Sequence, residues 1–263
     1  MESQKKLIHE EDWDILVVLD ACRFDVFEDL YDGYLDGNLK KVKSEGSFTV
    51  EWLKKTFDEH YDLTYISANP FVNSQGRDFG GWRATEHFSR IYDAWLHDWD
   101  EENDTVRPSS MKNLSLSISG RKIAHFVQPH YPYLTLDKGF NWDNVTGGFG
   151  SNSLRQKFSD ALVRVLGRSR ARSFVHFLKG EKPMEDFERN WVSEYGAIGI
   201  IRAYKANLIA ALSAIKDIAK EGNGKKIIVT ADHGEAFGEE GYWGHISGID
   251  IPVLRNVPWL EVD

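Results

Sequence analysis

Along the chain, apolar residues gather in short continuous runs that end abruptly on acids, histidines or prolines. "DILVVLD" (14–20) is the first of these. A valine-rich run of this length, bounded by charge, predicts a strand buried on both faces. "LTYISANP" (63–70), "KIAHFVQPH" (122–130) and "KKIIVTADHGE" (225–235) read the same way. Between them the apolar period lengthens to that of a helix. "VFEDLYDGYL" (26–35) predicts a short helix, and "SFTVEWLKKTFDEH" (47–60) a better-defined one. Ser47 or Thr49 can cap the latter, and Val50, Leu53 and Phe57 share a face. "RAYKANLIAALSAIKDIAKEG" (202–222) is the clearest helix, stopped by Gly222 and Gly224.

This alternation predicts an α/β fold: a mostly parallel central sheet sandwiched by helices, in one domain over 1–263. In such sheets ligands gather beyond the carboxyl ends of the strands. The predicted strand ends carry Asp20, Asn69, His130, Asp232 and His233. Two stretches fit the alternation poorly. Residues 77–120 are polar, aromatic and acidic with weak periodicity, and "HDWDEENDT" (97–105) reads as a solvated loop. Residues 141–195 hold a glycine-rich loop, "TGGFGSNS", followed by helical text that is basic from Arg155 to Lys182. This stretch reads as a helical insertion, a lid or an interaction surface.

Composition narrows the function. The 263 residues are 41% hydrophobic, enough for one large core. A net charge of -9 argues against broad nucleic-acid binding, which needs a basic surface. It leaves room for a small anionic ester held by a local metal. The single cysteine, Cys22, excludes an intrachain disulfide and a multi-cysteine zinc site. No apolar run approaches the roughly 18 residues of a membrane span, and the N-terminus has no signal-peptide core. The expectation is a cytoplasmic chain without a transmembrane segment; homo-oligomerisation stays open.

A carboxylate and an imidazole side by side at a strand end, Asp232 and His233, suit a divalent ion such as Zn, Mn or Mg. Asp20 either joins them or caps the next helix. His245, in "GYWGH", lies near this pair in sequence. His125 and His130 bracket a strand end, His125 reading as the ordinary buried histidine of the two. Arg23 could pair its planar fork with a substrate oxyanion or make a surface salt bridge. Asn69 either lines the cleft or makes a turn before Pro70. Glu235 could hydrogen-bond a ligand histidine.

"VVLDACRFD", "GSFTVEWL", "QPHYPY" and "VTADHGEAFGEEGYWGH", in that order, resemble the alkaline phosphatase superfamily, specifically its sulfatase-like branch. The closing "IPVLRNVPWLEV" looks like the tail of archaeal sulfatase-like proteins. The resemblance implies one or two divalent ions, Zn or Mn, with Mg or Ca as alternatives. Asp20 resembles the first ligand; Asp232 and His233 resemble the paired ligands of the same ion. His245 resembles a second-site ligand or a contact to substrate oxygens. His130 matches a histidine that binds those oxygens or the leaving group. The nucleophile should follow the first strand and open a helix. Thr49, preceded by an aromatic residue, fits best, both as metal ligand and as attacking group; Ser47 is the alternative.

The sequence also departs from true sulfatases. Their C-x-P/A-x-R signature is absent, so a threonine nucleophile suits phosphate esters, phosphodiesters or phosphonates better than sulfates. Ala21 stands where many sulfatases carry a second acid. The nearest D-x-x-x-H pair is Asp93–His97, with Asp78 as another acid in that region. The expected activity is a metal-dependent hydrolase or transferase of phosphate esters, or of sulfate esters. The alternative is a non-catalytic binding or scaffold protein using the basic insertion.

Overall fold

The four apolar runs become the middle of one sheet. In chain order the strands are β1 (Ile15–Asp20), β2 (Gly37–Lys43), β3 (Tyr61–Ser67), β4 (Phe88–Asp93), β5 (Trp99–Asp100), β6 (Thr105–Val106), β7 (Lys122–Pro129), β8 (Ile227–Ala231), β9 (Ala236–Phe237), β10 (Trp243–Gly244) and β11 (Asn256–Val262). The helices are α1 (Gln4–Glu10), α2 (Phe24–Glu28), α3 (Thr49–Thr56), α4 (Ala84–His87), α5 (Ala94–His97), α6 (Pro108–Ser117), α7 (Glu185–Glu221) and α8 (Pro252–Arg255). The computed structural model describes residues 1–135, 185–222 and 224–263. Most of the expected insertion at 141–195 lies outside these, as does its basic stretch.

The main sheet has seven strands in the order β2-β11-β8-β1-β7-β3-β4. The block β8-β1-β7-β3-β4 is parallel, while β11 runs against both β8 and β2. The central strands β1, β7 and β8 are buried at every position. Strands covered on both faces must be apolar on both, so they read as unbroken runs. The three strands the pattern misses lie at or near the sheet edges. β2 and β4 are the edges, with mixed polar faces and, on β2, lysines that discourage further pairing. β11 contains Pro258, a strand-breaking signal. Its pairing with β8 begins one residue later, at Trp259 opposite Thr230, so the missing N–H costs no bond there.

The helices also shift. After β1 the helix covers only Phe24–Glu28 and gives way to a 3-10 turn at Tyr31–Gly33. The stretch 77–120 is not structureless: it supplies α4, β4, α5 and α6, and Trp99–Asp100 pairs with Thr105–Val106 across the expected loop. α7 starts well before Arg202 and passes a non-helical break at Gly196. It packs on β7 and α6 with Leu208, Leu212, Ile215 and Ile218 buried. Tyr195–Glu221 is, by length and composition alone, a helix able to cross a membrane, on an 18-residue window with a mean hydropathy of 1.4. Charged residues interrupt it, so it holds no unbroken apolar run of that length. Half of that window is buried in the fold.

α1 is tied in by a residue with no sequence signal. Gln4 is fully buried and donates to Thr230 Oγ1 (2.7 Å) and the Ala231 carbonyl (2.6 Å). It accepts from Trp52 Nε1 at 2.8 Å. One amide thereby joins α1, β8 and α3 just behind the strand end that carries Asp232.

Candidate metal site

β1 and β8 are adjacent and parallel, so their carboxyl ends deliver Asp20 and Asp232 to the same edge. Each carboxylate is held by one oxygen. Asp232 Oδ1 accepts the N–H groups of Ala21 (3.0 Å) and His233 (2.8 Å). Asp20 Oδ2 accepts from Asn69 Nδ2 at 2.9 Å. Between them the chain turns through Ala21 at φ 57, a left-handed conformation unfavourable for a residue with a Cβ. The Tyr204 hydroxyl fixes that turn by donating to the Ala21 carbonyl at 2.6 Å and accepting from Arg23 N–H.

His233 follows on a loop whose next residue must be glycine. A Cβ on Gly234 would lie 1.9 Å from the Val253 carbonyl oxygen. His233 Nδ1 lies 2.8 Å from the Gly234 carbonyl, so Nδ1 donates and Nε2 presents its lone pair. That Nε2 is 3.2 Å from Thr49 Oγ1, 3.3 Å from Asp232 Oδ2 and 3.7 Å from Asp20 Oδ1. Thr49 is the first residue of α3, and the N-cap is Phe48 rather than Ser47 or Thr49. Neither hydroxyl caps the helix, which leaves the Thr49 hydroxyl for His233.

These atoms fit a divalent cation. Asp20 Oδ1 and Asp232 Oδ2 are buried without a hydrogen-bond partner. Among the described residues, their ion-pair partners are all histidines. Burial, then the neighbouring Asp232 and Glu235 charges, pushes the Asp20 carboxyl well above its usual range. Burial, then His245, holds His233 well below its usual value, as a neutral imidazole. Two buried carboxylates with no cation between them are costly. Two carboxylate oxygens, an imidazole nitrogen and a hydroxyl make a donor set suited to a divalent metal ion.

A second cluster adjoins the first. One ligand atom each from His130, Glu235 and His245 lies within 4.8 Å of the others. The His245 ring is 4.5 Å from that of His233 and 5.0 Å from that of His130. His245 Nδ1 sits 3.0 and 3.2 Å from the two Glu235 oxygens. Burial alone would lower the His245 pKa; the Glu235 charge and hydrogen bond outweigh it and raise it. His130 is pushed down to about 4, first by burial and then by His245. Phe48 stacks over His245 at 5.8 Å and packs edge-on to Phe71, walling one side.

Other candidates take supporting places. The Arg23 guanidinium is engaged by Asp25 (2.7 and 2.9 Å), Glu239 (2.6 Å) and the Glu235 carbonyl, with Phe237 beneath it. It clamps the Glu235 loop to β1 rather than offering its fork to a substrate. Asn69 orients Asp20 and also accepts from the Phe71 N–H at 2.9 Å, closing a turn across Pro70. Ser47 Oγ donates to the Ile246 carbonyl at 2.8 Å and anchors the His245 loop. Asp93 accepts from the Ser74 backbone and hydroxyl, while Asp78 and His97 are exposed, so the D-x-x-x-H pair is elsewhere. His125, which by sequence reads as an ordinary buried histidine, lies beside these ligands: its Nε2 is 3.8 Å from Asp232 Oδ2. Sequence could not show this, because it depends on the β1–β7 register.

No protein-family model matches the chain, and no curated protein sequence matches it. Solved structures do. The C-terminal periplasmic domain of phosphoethanolamine transferase EptC from Campylobacter jejuni aligns at 14% identity and TM-score 0.48, over 94% of this chain and 77% of that one. A phosphonate monoester hydrolase from Agrobacterium radiobacter aligns at 13% identity and TM-score 0.49, over 95% and 68%. The integral membrane lipooligosaccharide phosphoethanolamine transferase A from Neisseria meningitidis aligns at 13% identity and TM-score 0.52, over 96% of this chain and 48% of that one. Nothing in them bears on the archaeal likeness of the tail. At such identities the likeness concerns the fold, and the chain has the alkaline-phosphatase-like α/β fold, a mostly parallel sheet flanked by helices.

Proposed function

We propose that the chain transfers or hydrolyses phosphate esters, with Thr49 as nucleophile and Asp20, Thr49, Asp232 and His233 holding a divalent ion, Zn or Mn. One observation carries this reading: two buried carboxylate oxygens without hydrogen-bond partners and the hydroxyl of the first residue of a helix all lie close to His233 Nε2. Transferase and phosphonate-hydrolase structures of the same fold support it. One of the transferase domains was crystallised as a complex with Zn.

When bound, the ion supplies positive charge that favours the Thr49 alkoxide and the developing charge on phosphoryl oxygens. Thr49 Oγ1 attacks phosphorus after its proton is lost to solvent. The Oγ1–P bond forms as the bond to the leaving oxygen breaks. The α3 N-terminus favours the anionic substrate beside Thr49. His245, whose protonated form Glu235 favours, offers an N–H to the substrate oxygens; His130 flanks it. Water or an acceptor alcohol then takes the phosphoryl group from Thr49. Phe48 and Phe71 keep one side of the site apolar.

The test is metal content by mass spectrometry of protein purified without chelator, wild type beside Asp232→Ala. Turnover of p-nitrophenyl phosphate, bis-p-nitrophenyl phosphate and p-nitrophenyl sulfate is read on the same samples. Near-stoichiometric metal that is lost in the variant, with phosphoester cleavage, is expected. A wild type that takes up no metal after reconstitution refutes the reading.

A further inference from the structure

Three side-chain atoms without hydrogen-bond partners, not two, lie together where β7 runs beside the ends of β1 and β8. They are Asp20 Oδ1, Asp232 Oδ2 and His125 Nε2, all buried. One ligand atom from each of the three residues lies within 4.8 Å of the others. The register explains the meeting. His125 pairs with Val18 of β1, two residues before Asp20, and the β1–β7 register shifts between Leu19 and Asp20. His125 is fully buried, with its ring edge-on to Trp52 at 6.0 Å. Its other nitrogen, Nδ1, is 2.8 Å from the Tyr65 hydroxyl.

A buried imidazole nitrogen without a partner normally costs stability. The separation from Asp232 Oδ2, 3.8 Å, is too long for a hydrogen bond. It does suit two ligands of a shared ion. We propose that His125 Nε2 is a further ligand of the ion held by Asp20, Thr49, Asp232 and His233, with Tyr65 fixing the ring through Nδ1. This rests on the metal reading above. It makes the site two-imidazole, richer in nitrogen than a magnesium or calcium site, and so selects zinc over those ions.

The experiment counts imidazoles directly. Zinc-edge X-ray absorption is recorded at one equivalent of zinc, in a His245→Ala background that keeps the ion out of the neighbouring cluster. The parent is expected to show two zinc-bound imidazoles, and His125→Ala one. Competition against a chromophoric chelator is expected to show zinc affinity falling at least about tenfold. Tyr65→Phe should weaken affinity while keeping two imidazoles. If His125→Ala does not fold, as judged by circular dichroism of the zinc-free protein, His125→Gln takes its place in both measurements. One imidazole in the parent, or an unchanged count and affinity in the His125 variant, overturns the proposal alone. No zinc uptake by the parent overturns the metal reading and this proposal together.

Discussion

Asp20 shows what a single residue contributes. Its carboxyl is buried beside Asp232 and Glu235, and the Asn69 amide opposes the upward push on its pKa. Without the ion, burial and those charges favour the protonated carboxyl, whose proton ion binding displaces. Zinc binding at pH 7 is expected to release protons, and affinity to fall as pH is lowered. Calorimetry in buffers of different ionisation enthalpy measures the release; a buffer-independent heat would contradict it. Thr49 gives the second prediction at this scale. Thr49→Ala should retain metal held by the other ligands but lose about a thousandfold or more in turnover, on the order of 4 kcal/mol of barrier. Thr49→Ser should restore part of it, since the hydroxyl returns. Stopped assays on metal-replete protein separate the two effects.

At the scale of elements, α3 and the His245 loop form one unit. Glu51, in the first turn of α3, reaches back to the Ser47 N–H at 3.0 Å and its hydroxyl at 3.1 Å, and accepts from Gly248 N–H at 3.2 Å. Ser47 in turn holds Ile246 and Ile249. Burial would raise the Glu51 pKa; the Lys55 hydrogen bond and those backbone donors lower it to about 2. A depressed carboxylate pKa adds stability above the unfolded value, here the usual 4.5, and that stability is lost as pH falls towards 2. Glu51→Gln is expected to flatten acid unfolding across that window and to cost on the order of 2 kcal/mol at neutral pH. Urea titrations at several pH values measure both. Turnover should fall as well, because the loop that carries His245 loses its anchor.

For the whole molecule, the proposed ligands come from separated parts of the chain: β1, the start of α3, β7 and the loop after β8. Unfolding anywhere in the central sheet disperses them, so the ion should report on global stability. At a hundredfold excess over its dissociation constant, a ligand specific for the folded state adds about 2.7 kcal/mol. For a chain of this size that raises the unfolding midpoint by roughly 5–10 °C. Calorimetric scans with and without zinc check this, and Asp232→Ala should abolish the shift.

The central strands, the parallel sheet and most of the site could be read from sequence, because each rests on local information. A strand buried on both faces must be apolar throughout, so its end shows where the run meets Asp20 or Asp232. The edges were not legible: β2 and β4 face solvent, and β11 hides a proline that only its offset from β8 makes harmless. Nor were the pairings of side chains. Arg23 has the chemistry to bind an oxyanion, but Asp25 and Glu239 engage it first. His125 looks like any core histidine until β7 is set beside β1, when its Nε2 comes to face two carboxylates. The sequence by itself determined which residues end the strands, since burial acts on each run separately. The tertiary structure alone decided which of those ends meet and which charges are left over, since register and packing join residues that the chain keeps far apart.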